Sequence, residues 1–336
     1  MTVEAKSWWR RLLPFSPRAQ RGDPEVAFPP GFLATLDRLR ILALKAAGGG
    51  LKAGHRLGAY KGGQLEFHDY RAYAPGDDLR YLDWNLYARL GKPFIKEFAR
   101  EEAGVLHLLV DGTASMGLGT PSPWTFARRL AALFAHVGWS AHDSVKVYVF
   151  RGPAAPLESY PPRGSRGNTA ELLDWLARQR LAPAHWEQPD NAALNGAAPR
   201  DGTLSNATRA FLREKPALGR VFLISDFWAE ERDAVQAVQL LAAASYEPAA
   251  VHAVAPADVL APEPGPLRVL TPEEGGEVEL EATSSAAERY LQEFDAHRAS
   301  IEATFRRHGG WYLFERSDTS LERVLILTLR KKRWVG

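Results

Sequence analysis

From Gly104 onward, short apolar runs alternate with amphipathic stretches. The runs are Val105–Val110, which ends at Asp111, then Val145–Phe150, Val221–Ile224, Ala249–Val254 and Trp311–Phe314. Continuous apolar runs of this length, rich in β-branched and aromatic residues, suit strands covered on both faces. Among them, apolar residues recur at helical spacing over residues 123–139, 168–180, 203–214, 229–245, 285–307 and 319–331. Such alternation predicts right-handed crossovers and an α/β fold with a doubly wound, mostly parallel sheet. One segment departs from it: Pro266–Leu270 and Glu277–Leu280 flank Glu274-Gly275-Gly276, which predicts a β-hairpin inserted before the helix at 285–307. Upstream, Leu33, Leu36, Leu39, Leu42 and Leu44 fall mostly on one side of a helix predicted over Pro30–Ala47, and Gly48-Gly49-Gly50 stops it. Three zones follow: a flexible arm at 1–28, an N-terminal helix and its following segment at 29–102 packed on the core, and the main domain at 103–332.

In an open α/β sheet, ligands bind beyond the carboxyl ends of the strands, near the point where strand order reverses. The first run delivers Asp111-Gly112-Thr113-Ala114-Ser115 to that edge, one carboxylate and two hydroxyls on a tight turn. Asp201-Gly202-Thr203 opens the helix before the Val221–Ile224 strand, and Ser225-Asp226 closes that strand. Asp111, Thr113, Ser115, Thr203 and Asp226 thus form a candidate set of hard oxygen donors, suited to Mg²⁺ or Mn²⁺. With few direct carboxylates, such an ion keeps a position for an Asp or Glu of a partner. The bland alternative is that Asp111 and Ser115 only cap local turns.

Composition narrows the picture. The 336 residues carry a formal net charge of +2, which argues against a dedicated nucleic-acid binder. There is no cysteine, so neither disulfides nor thiolate metal sites contribute, and a cytoplasmic location is expected. No apolar stretch reaches the length of a membrane span, and the N-terminus makes a poor signal peptide. Trp8, Trp9, Arg10 and Arg11 would allow peripheral membrane contact but no stable insertion.

Two motif groups carry a family resemblance. Asp-x-Thr-x-Ser after an apolar strand, Gly-Thr before a helix and a strand-terminal Asp resemble the metal-ion-dependent adhesion site of von Willebrand factor A domains. Upstream, Gly62-Gly63-Gln64-Leu65-Glu66-Phe67, then Arg71-Ala72-Tyr73-Ala74-Pro75-Gly76-Asp77-Asp78-Leu79-Arg80, then Asp83-Trp84 and Ala88-Arg89 closely resemble the signature of domain-of-unknown-function family 58. The resemblance covers residues 50–332. It implies a von Willebrand factor A-like fold, a MoxR-type AAA+ ATPase as partner, and metal binding in which Thr113, Ser115 and Thr203 ligate and Asp111 and Asp226 hold the ion directly or through water. Thr113 stands where Ser is usual, Leu204 where Asp usually follows Gly-Thr, and Phe227 where adhesion domains commonly have Gly.

These features predict a metal-dependent protein-interaction module that engages acidic groups on a client or on the ATPase, and not an enzyme. The competing reading is a Mg²⁺-dependent hydrolase or phosphotransferase using Asp111. It lacks a phosphate-binding Gly-x-x-x-x-Gly-Lys loop, and Thr113 stands where an Asp-x-Asp start would put a second carboxylate. The cluster Asp77, Asp78, Arg80, Asp83 and Arg89 reads as a turn with ion pairs tying this segment onto the sheet, with Trp84 as a packing anchor; an ATPase-binding surface is the alternative. His107 reads as a satisfied core or interface histidine. Pro183–Gly202, with His185-Trp186-Glu187, is expected to form a long loop at the rim of the metal site. Arg330-Lys331-Lys332-Arg333 reads as a solvated helix end.

Overall fold

The computed structural model describes residues 26–46, 65–100, 104–152, 155–161, 167–183, 203–228, 231–261, 265–271 and 276–330. Most of the expected arm, including Trp8, Trp9, Arg10 and Arg11, lies outside these residues. So do Gly48–Gly50, Gly62–Gln64, the His185-Trp186-Glu187 loop, Asp201, Gly202, and the C-terminal basic residues from Lys331 on.

Helix α1 (Phe32–Ala46) leads into an antiparallel pair, β1 (Leu65–Ala72) and β2 (Phe94–Arg100), which bracket a short helix α2 (Trp84–Leu90). Then come β3 (Val105–Asp111), α3 (Pro123–Ser140), β4 (Ser144–Phe150), β5 (Glu158–Tyr160), α4 (Thr169–Arg178) and α5 (Thr203–Arg213). The remainder is β6 (Arg220–Ser225), α6 (Glu231–Ala243), β7 (Glu247–Val254), the hairpin β8 (Gly265–Thr271) and β9 (Gly276–Ala282), α7 (Ser284–Arg307), β10 (Trp311–Arg316) and α8 (Leu321–Arg330).

The main sheet runs β10-β7-β6-β3-β4-β5, parallel except for the short edge strand β5. From β3 the chain moves to β4 on one side and later to β6 on the other, so strand order reverses at β3. The sheet is doubly wound, as the alternation predicts. Successive residues feed opposite faces. Leu108 and Val110 of β3, with Phe222 and Ile224 of β6, join the core under α1, α3, α4 and α8. Leu109, Tyr148 and Leu223 join the core under α5, α6 and α7. This two-sided burial is why the strands read as unbroken apolar runs. Helix α3 starts on Ser122, whose hydroxyl accepts from the Thr125 N–H at 3.2 Å, with Pro123 at the first helical position.

Helix α1 packs on α3 and α8, so the N-terminal helix shares the main core. Its buried residues are Phe32, Leu36, Leu39 and Ala43, whereas Leu33 is exposed. The buried stripe is rotated from the leucine pattern because Phe32 and Ala43 complete it. His107 is a core histidine as expected: its Nε2 lies 2.9 Å from Ala217 O, and burial pushes its pKa down to about 4.

The charged cluster closes within its own segment. Arg71 grips Asp77 through two bonds of 2.8 and 2.9 Å, holding that carboxyl down to about 2, and Arg80 pairs with Asp78 at 2.6 Å. Asp83 caps α2 by accepting from the Asn85 and Leu86 N–H groups at 2.9 and 3.0 Å, and it also meets Tyr70 and Lys96. Trp84 is not a packing anchor. It is 65% exposed, with its ring edge-on to exposed Tyr87. A helix only seven residues long, capped at both ends, turns this face outward.

Candidate metal centre

The first loop is built at the carboxyl end of β3. Asp111 is buried. The Gly112 N–H donates to Phe150 O at 2.8 Å, and a Cβ at Gly112 would meet that oxygen at 3.2 Å, so glycine suits this close approach. The Thr113 N–H donates to Asp111 Oδ1 at 2.9 Å, and a 3₁₀ turn over Ala114–Gly117 brings the next hydroxyl round. As a result Thr113 Oγ1 and Ser115 Oγ stand 3.1 Å apart.

The third loop lies beside it because β6 pairs directly with β3, Val110 opposite Ile224. Ser225 Oγ donates to Asp111 Oδ2 at 2.6 Å and accepts from the Phe227 N–H at 3.0 Å. Asp226 is buried, and its Oδ1 accepts from the Trp228 N–H at 3.1 Å. Phe227 adopts a left-handed backbone, φ 51°. Its buried ring lies 5.3 Å from His252 and 6.1 Å from Phe305. The position where glycine is common is therefore conformationally special here too. A ring in the core offsets the cost of the left-handed residue.

The second loop enters on α5, of which Thr203 is the first residue. The carboxylate of Asp233, buried on α6, accepts from the Leu204 and Ser205 N–H groups at 2.7 and 2.9 Å. Leu204 belongs to the apolar cluster that also holds Leu109 and Phe227. Direct hydrogen bonds thus join the first and third loops, while Thr203 opens α5, whose start is seated on Asp233. Sequence reasoning missed Ser225 and Asp233. Ser225 had a signal, since the residue before a strand-terminal Asp falls level with the end of the neighbouring strand. Asp233 had none, since it caps another helix from 29 residues away.

The donor set is all oxygen: two buried carboxylates and three hydroxyls. Neighbouring ligands of an octahedral Mg²⁺, each about 2.1 Å from the ion, stand about 3 Å apart. The 3.1 Å separation of Thr113 and Ser115 fits that spacing. Among the described residues no three His, Cys, Asp or Glu side chains cluster to hold a metal. A hard cation held here would therefore rely on hydroxyls as well as carboxylates. Both Asp111 oxygens already accept a hydrogen bond, which leaves their remaining lone pairs for an ion or its waters.

At the end of neighbouring β7, Asp258 closes a small 3₁₀ turn by accepting from the Ala255 N–H at 2.8 Å. Burial pushes its carboxyl up to about 7, partly countered by that bond. A carboxyl raised on folding binds its proton more tightly in the folded state, so stability is lost as pH rises from about 4 to about 7. Asp258 keeps part of its surface in solvent, which reduces the effect. Asp258→Asn keeps the acceptor and removes the charge. It is expected to gain about 1 kcal/mol over the native chain at pH 8 and nothing at pH 4, read from urea midpoints. An equal gain at both values would refute the titration.

The model of the family described as protein of unknown function DUF58 matches residues 69–300. Uncharacterized proteins of Mycobacterium bovis and Mycobacterium tuberculosis are 26% identical over 309 residues, covering 88% of this chain and 91% of theirs. Among solved structures, the conserved hypothetical protein BatB of Bacteroides thetaiotaomicron aligns at 15% identity, over 68% of this chain and 98% of that one, with a TM-score of 0.41. An aerotolerance-related membrane protein of Bacteroides fragilis aligns at 14% identity over 68% and 98%, with a TM-score of 0.36. An uncharacterized membrane spanning protein of Vibrio fischeri aligns at 16% over 69% and 98%, with a TM-score of 0.20. The last two descriptions stand against the cytoplasmic expectation, which is not carried further. Lack of cysteine says nothing about whether a domain sits at a membrane surface. Among the described residues, no helix is long and apolar enough to cross a membrane. With more than half of its length matched by one family model, the chain belongs to the DUF58 family of proteins of unknown function.

Proposed function

We propose that this chain is a metal-dependent protein-interaction module and not an enzyme, with Mg²⁺ or Mn²⁺ held by Asp111, Thr113, Ser115, Thr203 and Asp226. The observation that carries this reading is the hydroxyl pair of Thr113 and Ser115 at 3.1 Å beside two buried carboxylates. The location supports it, since the first and third loops adjoin at the strand ends beside the point where strand order reverses. The resemblance to the adhesion site of von Willebrand factor A domains supports it further. In this reading the ion keeps a position for a carboxylate of an acidic client or of a MoxR-type AAA+ ATPase, for which the chain acts as an adaptor or chaperone-like partner. Exposed Trp84 and Tyr87 on α2 favour that hairpin as a second contact, because Trp and Tyr are enriched at interfaces. Asp111, engaged by the Thr113 N–H and the Ser225 hydroxyl, is better placed to hold an ion than to attack a substrate.

Thermal unfolding in EDTA and then in Mg²⁺ or Mn²⁺ tests this. An ion at ten times its dissociation constant stabilises by about 1.4 kcal/mol, a rise of a few degrees. The rise is expected in the native chain and absent in the double variant Thr113→Val, Ser115→Ala, which keeps the shape and both carboxylates. An equal rise in both would remove the hydroxyls from the ligand set. No rise in either would sink the metal site.

A further inference from the structure

The backbone of the third loop is held from behind by a histidine on another element. His297, buried on α7, has its Nε2 2.9 Å from Phe227 O. A carbonyl only accepts, so Nε2 carries the proton. The Trp228 ring lies parallel to the His297 imidazole, at 6.4 Å and 6°. On β7, His252 stands opposite Ser225, its Nδ1 2.6 Å from the Tyr312 hydroxyl. The left-handed Phe227 therefore has its N–H on Ser225, its ring in the core and its carbonyl on α7. The Phe227 carbonyl in the turn is thus tied to an imidazole of α7.

We propose that His297 is a positioning residue for the candidate metal centre: its bond to Phe227 O fixes the left-handed turn that presents Asp226, and so makes metal affinity depend on α7. The inference rests on the metal-binding reading above. An acidic ligand next to a left-handed residue gains most from such support, because an unsupported turn relaxes toward ordinary backbone and swings the carboxylate with it. His297 needs no contact with the ion, as it acts through one carbonyl. Any partner or movement that shifts α7 would act on Asp226 by the same route.

The test compares the native chain with His297→Leu, which fills the space without a donor, and His297→Gln, whose side-chain amide carries a donor at a reach similar to Nε2. Mn²⁺ titration followed by calorimetry is the first readout. His297→Leu is expected to bind about tenfold more weakly or worse, the usual cost of losing a support behind a ligand, and His297→Gln to recover most of the affinity. Deuterium exchange in EDTA is the second readout. The Phe227 and Trp228 amides are expected to lose protection in His297→Leu and regain it in His297→Gln. If His297→Leu does not fold, His297→Asn, too short to reach Phe227 O, replaces it. Native binding of Mn²⁺ with unchanged affinity in the leucine variant overturns the proposal. If the native chain binds no Mn²⁺, the metal reading falls, and amide exchange decides the rest. Protection lost and then rescued keeps His297 as the support of this turn, and unchanged protection removes it.

Discussion

Replacing Phe227 by alanine is expected to lower stability by about 3–5 kcal/mol, the usual cost of deleting a fully buried aromatic ring. The ring is buried among His252 and Phe305, and the space it leaves is enclosed by α7 and β7. The informative comparison is with glycine. In most folded positions glycine is less stable than alanine by about 0.5–1 kcal/mol, because the unfolded chain gains freedom. At φ 51° the order inverts. A left-handed alanine costs about 1–2 kcal/mol that glycine avoids, so Phe227→Gly is expected to be more stable than Phe227→Ala. Urea unfolding of the two variants gives the sign directly. Alanine above glycine would mean that the turn abandons the left-handed conformation once the ring is gone, and that the ring, rather than the Ser225 and His297 bonds, dictates the backbone.

A second large effect is expected at Asp233. Asp233→Ala removes a buried carboxylate that accepts two N–H groups at the start of α5, and about 2–3 kcal/mol of stability should go with it. Both donors are enclosed against α6, so water replaces the acceptor poorly. A carboxylate also complements the positive end of the α5 dipole, so Asp233→Asn should recover only part of the loss. Because Thr203 is the residue just before those two N–H groups, the metal-binding reading also expects fraying of this end to weaken Mg²⁺ binding beyond the stability loss. A stability change below about 0.5 kcal/mol in the alanine variant would mean that α5 is seated by Leu204 and Phe211 packing alone.

Much of the main domain was legible because its burial pattern is local. Leu108 and Val110 face one helix layer and Leu109 the other, so β3 reads as an unbroken apolar run. Helices α3 and α7 carry their own start signals in Ser122 with Pro123 and in Thr283. The strands β1 and β2 were not predicted as a pair. Their sequences mix charged and apolar residues without clean alternation, and β1 contains a bulge between Phe67 and Asp69. Trp84 was misjudged because a large aromatic side chain is usually buried, and nothing within α2 states that this short helix lacks a neighbour on that face.

The candidate centre divides the same way. Asp111, Thr113 and Ser115 belong to one turn, and their relation follows from chain geometry once β3 ends at Asp111. Asp226 at the end of β6 follows from the winding of the sheet. Sequence by itself therefore determined most of the strand and helix pattern of the main domain, the doubly wound class and the edge reached by Asp111 and Asp226, since each depends on periodicity or spacing within a single element. Only the tertiary structure decided that Ser225 hydrogen-bonds Asp111, that Asp233 caps α5, that His297 holds the turn at Phe227 and that Trp84 faces outward. Those relations join residues from 28 to 114 positions apart or, for Trp84, depend on which face is left uncovered. They are set by how the helices pack on the sheet as a whole, a sum over many weak contacts that no short stretch of sequence contains.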